Sequence, residues 1–321
     1  MNNGIRILIV LAVSGGILFG AEKLVTHFMK ENMNSKSSFV VSGNHNYDAL
    51  FLGHCMPAFT VSPSAFDSVT GTHSFNLAQH NASYAENLIT LHLYLENNEA
   101  PKYLFLCATP ESFDRGFNNF HAFRYAHFMD DPLIASIIEK EDPEFYRWSM
   151  IPYVKFGYYN DQVNFNAVQG WSHERQERKL PFFKDGLELP VDEKGVRAFE
   201  KPTYENDYQF KWDSGLESYY NRIIDLAKSQ NIQVVLFETP MNTDLADEAS
   251  LPNREEMLYK IHRLASKRNL RFWTFEELDM TKEISNYYST LNLKYPSVIQ
   301  FSKEMGSRFN EEYAVDETEE R

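Results

Sequence analysis

The sequence predicts an α/β fold: a doubly wound, five-stranded parallel sheet with helices on both faces and an aromatic-rich cap inserted between strands 3 and 4. Three observations lead there. Five short apolar runs, at 47–53, 73–78, 102–109, 232–238 and 270–275, have the near-continuous hydrophobicity of strands buried on both faces. Amphipathic segments separate them, and strand–helix alternation of this kind builds parallel sheets. The alternation is interrupted once, over about a hundred residues (112–211) crowded with Phe, Tyr and Trp and punctuated by Pro, Gly and Asn, too long for a structureless loop.

In chain order, an uncharged apolar run at 7–21 (ILIVLAVSGGILFGA) follows Arg6 and precedes Glu22 and Lys23. It falls short of the about 20 residues that span a bilayer comfortably, but Ile5 and the Leu24–Val25 pair extend it. Residues 1–25 are read first as a retained signal-anchor. A signal peptide cleaved after Phe19-Gly20-Ala21 is the competing reading, and a buried core helix the third. Either of the first two places everything after about Glu22 on the extracytoplasmic side, periplasmic or cell-surface. Residues 26–46, polar and rich in Ser and Asn, read as a spacer to a domain over 47–313, with the cap at 112–213 and an acidic tail at 314–321.

The first strand ends in Gly53 and presents Cys55 two residues on. Ser62 before Pro63 starts a short helix over 63–69, and 83–98 is amphipathic. Within the aromatic segment, 139–148 and 151–159 read as short helices; its rings are mainly core, with some available to stack on sugars. Helices at 214–229 and 252–268 flank the fourth strand, and a last helix runs over 296–313.

A chain of 321 residues, 43% hydrophobic, affords a large core. Its net charge of −14 excludes the basic footprint of a nucleic-acid binder. The two cysteines, Cys55 and Cys107, both lie in apolar runs and suggest no disulfide framework. There is no Walker loop and no G-x-G-x-x-G, so no cofactor is expected. A zinc cluster of His54, Cys55, His80 and Cys107 matches no ligand spacing, so no metal is expected either.

The text Leu50-Phe51-Leu52-Gly53-His54-Cys55, followed by Ser74-Phe75-Asn76-Leu77-Ala78, resembles the SGNH (GDSL-like) hydrolase superfamily. More narrowly, it resembles the membrane-anchored extracytoplasmic branch that accompanies acylation of cell-surface polysaccharides. The resemblance covers 47 to about 110 and, more weakly, 214–310. It implies a flavodoxin-like topology and places the family's nucleophilic serine on Cys55 and its second oxyanion donor on the Ala78 backbone. The family's asparagine block falls on Thr109-Pro110-Glu111, without an asparagine, although Asn81 and Asn242 lie on other loops at that edge. The closing Asp-x-x-His falls on 286–292, where Thr290 replaces the histidine; no histidine follows His262.

A thiol depends less on a base than a hydroxyl does. His80, on the loop after the second strand, is the candidate base, with Glu111 or Glu238 to orient it. His54, Asn81, Thr109, Glu111, Glu238 and Asn242 are the candidate substrate-binding residues. Loss of a triad's base usually removes several orders of magnitude in rate. The first expectation is therefore a divergent hydrolase-like protein that acts on or binds acylated cell-surface glycan without Ser-His-Asp chemistry, partnered by that polysaccharide and by a membrane O-acyltransferase. The alternative is a thiol-dependent esterase or acyltransferase using Cys55 and a rewired base.

Overall fold

A computed structural model of the chain describes residues 2–32, 35–117, 119–158, 160–172, 185–188, 208–242, 251–289 and 291–313. In chain order the elements are α1 (Asn3–Lys30), α2 (Lys36–Val41), β1 (Ala49–Leu52), α3 (Cys55–Thr60), α4 (Pro63–Thr70), β2 (Ser74–Asn76), α5 (Tyr84–Asn97) and β3 (Tyr103–Cys107). Then come α6 (Pro132–Glu141), α7 (Pro143–Ser149), α8 (Val154–Tyr158), α9 (Asn160–Trp171), α10 (Ser214–Ser229), β4 (Gln233–Phe237), α11 (Arg254–Lys267), β5 (Arg271–Trp273), β6 (Tyr287–Ser289), β7 (Asn292–Leu293) and α12 (Tyr295–Tyr313). Two compact units emerge: Met1–Asn44 with Phe120–Leu180, and His45–Asn119 with Pro181–Arg321.

The second unit holds the expected five strands as one all-parallel sheet, in the order β2-β1-β3-β4-β5. Successive strands are added to one side of β1 with β2 and to the other with β3, so the gap between β1 and β3 is the switch point at which open α/β sheets bind ligands beyond their carboxyl ends. Ala49, Phe51, Phe105, Cys107, Val235, Phe237 and Trp273 share one buried cluster with Val298, Phe301, Met305, Phe309 and Tyr313, the inner stripe of α12. Phe51 stacks on Phe105 with ring centroids 4.9 Å apart, and Phe66 of α4 meets both edge-on. Alternation turns Leu50, Leu52, Leu104, Leu106 and Leu236 the other way, and all are fully buried. The β6–β7 hairpin, antiparallel and outside this sheet, was not foreseen.

In the first unit, α1 is one 28-residue helix, about 42 Å long. It is long and apolar enough to cross a membrane. Its side chains from Ile5 to Phe19 are exposed. Its last third is packed. Gly170 of α9 lies so close to the Phe28 carbonyl that a Cβ would collide with it. Asn32 Nδ2 donates to Asn166 Oδ1 and Gln169 Oε1 (3.2 and 3.3 Å). The stretch expected to be a spacer from residue 26 instead continues α1 to Lys30 and forms α2, because Ser38 donates to the Met29 carbonyl (2.8 Å) and Val40 is buried.

Helix limits in this unit also differ from expectation, since α6 and α7 each begin at a proline capped by an aspartate. Asp131 Oδ1 accepts from Leu133 and Ile134, and Asp142 Oδ1 from Phe145. Residues 120–172 of the aromatic segment belong to this helical unit, whereas Phe113, stacked on Trp212 at 4.3 Å, belongs to the sheet-bearing one.

Candidate functional site

β1 is wholly buried and ends at Gly53, where the backbone passes very close to its neighbours. A Cβ at Gly53 would come within 2.6 Å of Pro57 Cγ and 2.7 Å of Cys107 Cβ. This glycine lets α3 start directly at the carboxyl edge. Gly53→Ala should cost about 2 kcal/mol, because neither a proline ring nor a core cysteine at a strand end can yield freely. Equilibrium urea unfolding measures it, and an unchanged midpoint would refute the packing argument.

The chain enters α3 through His54, the N-cap, and Cys55 is the first helical residue. The Met56 amide donates to His54 Nδ1 (3.3 Å), which leaves the ring proton on Nε2. Nε2 stands 3.0 Å from Ser112 Oγ and 3.2 Å from Thr109 Oγ1, hydroxyls at the exit of β3. Ser112 Oγ also accepts from the Thr109 amide (3.1 Å). His54 is buried, and burial lowers its pKa to about 4, so the ring is neutral at pH 7.

Cys55 is a free, half-buried thiol. Its Sγ lies 3.8 Å from His54 Nδ1. Burial pushes the thiol up to about 11; the backbone amide of Asn81, donating to sulfur from a left-handed residue (φ 56°), pulls weakly the other way. Burial raises the thiol and lowers the imidazole, so both shifts disfavour moving the proton from sulfur to imidazole. The pair is therefore neutral: a thiol beside an imidazole, with no thiolate stored.

The other expected residues divide. Thr109 and His54 meet directly. Glu111, buried in the 3₁₀ turn Pro110–Phe113, is within electrostatic range of Cys55 on one side and of Glu238 and Arg254 on the other. Glu238 leaves β4 and accepts from Arg254 Nη2 at 2.6 Å, while Arg254 Nη1 reaches Glu276 Oε1 at 2.7 Å. Burial lifts the Glu238 carboxyl to about 7, against the pull of that guanidinium. Its second oxygen and the neighbouring Thr239 hydroxyl are buried without a hydrogen-bond partner among the described residues.

His80 is exposed, its ring stacked on Phe59 at 5.2 Å; the imidazole nitrogen beside the sulfur is that of His54. The Ala78 amide, expected to face an oxyanion, donates to Asn76 Oδ1 at 3.0 Å. Asn242 ties the strand exit to the Thr281 carbonyl (3.0 Å). Thr290 lies outside the described residues. Among the described residues no group of three or more His, Cys, Asp and Glu side chains is placed to hold a metal ion.

Sequence reasoning missed Ser112, Asn76 and Arg254. Arg254 did leave a signal: a cation in the first turn of α11, where the helix dipole favours acids, needs a partner strong enough to hold it. The chain matches no protein-family model and no curated protein.

Proposed function

We propose that the chain is a divergent, membrane-anchored extracytoplasmic relative of the SGNH hydrolases that binds acylated cell-surface glycan at the carboxyl edge of its sheet, without Ser-His-Asp chemistry. The helical segment between β3 and β4 serves it as a cap, and a membrane O-acyltransferase is its partner. The family reading rests on the residues 47–55 and 74–78 quoted above. Support for the location comes from Cys55 and Thr109, which leave β1 and β3 at the switch point.

The observation that carries the non-catalytic reading is geometric: His54 Nδ1, the imidazole nitrogen beside Sγ, already accepts from the Met56 amide, and burial favours the neutral form of both groups. A thiol held at about 11 is nearly all protonated at pH 7, and the Ala78 amide is already engaged. The alternative, a thiol-dependent esterase, is favoured by one feature: Sγ sits where both an imidazole nitrogen and the Asn81 amide reach it.

The test uses the full chain in micelles. Calorimetric titration should show tighter binding of an O-acetylated oligosaccharide than of its deacetylated form, and p-nitrophenyl acetate turnover should be the same in wild type and Cys55→Ala. Equal affinity for the two sugars would remove the glycan reading. A burst or turnover abolished by Cys55→Ala would replace it with the thiol esterase.

A further inference from the structure

We propose that the helical unit carries a second membrane-contacting element beside α1: the end of α7 and its link to α8, whose Trp148, Met150 and Ile151 seat in the bilayer interface. This rests on the reading of α1 as a membrane anchor.

The geometry comes from Glu22. The unbroken exposed apolar stretch of α1 reaches Phe19, with Leu24 exposed further on, and Glu22 follows Phe19 less than one helical turn later. There the link is clamped. The Tyr153 amide donates to Glu22 Oε2 at 3.1 Å, and Lys155 Nζ reaches Glu22 Oε1 at 2.6 Å. The link is thereby held at the level along α1 where a bilayer's hydrocarbon would give way to headgroups.

Its composition fits that depth. Between Arg147 and Lys155 the chain reads WSMIPYV, without a charge. Trp148, Met150 and Ile151 are 44%, 64% and 45% exposed, although each is a large apolar side chain. Trp and Tyr are the residues enriched at membrane interfaces, and monotopic contacts insert their apolar faces only to headgroup depth. The conformation is imposed rather than relaxed: Tyr153, an aromatic residue, is left-handed (φ 67°), and the Glu22 bond to its amide holds that turn. Lys155, at the turn's exit, is paired with Glu22, so the 148–154 stretch itself presents no free charge to the lipid, while Arg147 and Lys23 on its flanks are exposed at headgroup level.

α9 also exposes apolar residues (Phe165, Val168, Trp171), but it is fastened at Phe28 of α1, about 9 Å past Glu22 along the helix axis, and at Asn32 beyond the helix end. It is not part of the proposed contact.

The experiment reads depth in the full chain. In a Cys55→Ala background, with Cys107 fully buried, single cysteines at Leu11→Cys or Met150→Cys carry an NBD fluorophore, and the protein is reconstituted into phosphatidylcholine vesicles. The expected result is quenching of both labels by acyl-chain-brominated phosphatidylcholine, deeper at 11 than at 150, with iodide in the water reaching neither efficiently. If brominated lipid quenches the label at 11 while iodide alone quenches that at 150, the interfacial link is overturned and the anchor stands. If both labels stay aqueous, the anchor reading fails and the link falls with it. If a soluble acetylated glycan, and not lipid, shields position 150 from iodide, the surface is a sugar platform and the proposal is wrong.

Discussion

Replacing Asn76 by leucine should destabilise the sheet-bearing unit by about 4 kcal/mol, the largest loss expected of any single substitution considered for this unit. Asn76 is fully buried at the end of β2, and its amide serves three backbone groups. Nδ2 donates to the Pro57 carbonyl at 2.8 Å and to the Val61 carbonyl at 2.9 Å, while Oδ1 accepts from the Ala78 amide at 3.0 Å. Leucine matches the shape but offers no polar atom: the Pro57 carbonyl keeps the Val61 amide (3.1 Å), while the Val61 carbonyl and the Ala78 amide each lose the Asn76 bond, at about 1–3 kcal/mol per buried group before relaxation. Urea unfolding of the full chain in micelles measures the loss, and a change below about 1 kcal/mol would contradict the assigned bonds. The two carbonyls close the last turn of α3, whose first residue is Cys55, so the same variant should also label faster at Cys55 with maleimide. Asn76→Asp tests the polarity of the arrangement. It keeps the acceptor but turns an oxygen onto two carbonyl oxygens, so it should be worst above neutral pH and recover toward pH 5, where a protonated carboxyl can donate again.

Much of this sheet was legible because strands buried on both faces leave continuous apolar text. ALFL, YLFLC and QVVLF need no partner to be recognised. Their ends are shorter than the apolar runs, since flanking residues are buried without taking part in the ladder. What could not be read were pairings made by single contacts distant in sequence. Nothing periodic announces that Glu22 binds the Tyr153 amide and the Lys155 side chain, or that Gly170 admits the Phe28 carbonyl, yet these join α1 to residues more than a hundred positions away. The β6–β7 hairpin is too short for a two-residue period to register, with Tyr287–Ser289 pairing Asn292–Leu293.

The site shows the same division. Cys55 was placed by an apolar run and a glycine, a local signal. Its imidazole neighbour was misjudged for a local reason: adjacent side chains in a strand or turn point apart, whereas an N-cap folds its side chain back over the first helical amides. His54 caps α3, so its Nδ1 returns to the Met56 amide and ends 3.8 Å from the adjacent sulfur. His80 was favoured over it because the backbone path, not the cap, was legible.

Acid should loosen the helical unit before the sheet-bearing one, and the order follows from three buried groups. In the helical unit His127 is enclosed, with Nε2 3.4 Å from Ser38 Oγ and Nδ1 lacking a partner among the described residues. Burial first, then the charges of Lys30 and Lys155, lower its pKa to about 3. Unfolded, the same ring titrates near 6.5, so below that pH the unfolded state binds the extra proton and stability falls, by about 3 kcal/mol at pH 4. In the sheet-bearing unit His54, lowered to about 4 by burial, acts in the same direction over the window from 6.5 to 4. Glu238 opposes it. Its carboxyl is raised to about 7 by burial, so the folded state takes up a proton first as pH falls from 7 to 4.5, and stability rises across that window. The two contributions are similar in size and offset each other. Hydrogen exchange read peptide by peptide should therefore show protection in residues 120–158 falling steeply from pH 7 to 4.5, after correction for the intrinsic rate, while that of β1, β3 and β4 changes little. His127→Gln should flatten the first slope. His54→Asn, which keeps a capping acceptor, should make the sheet-bearing unit gain stability on acidification, and Glu238→Gln should make it lose stability. If the slope of the sheet-bearing unit were the same in both variants, the offset between His54 and Glu238 would be wrong, and with it the neutral imidazole on which the non-catalytic reading of Cys55 depends.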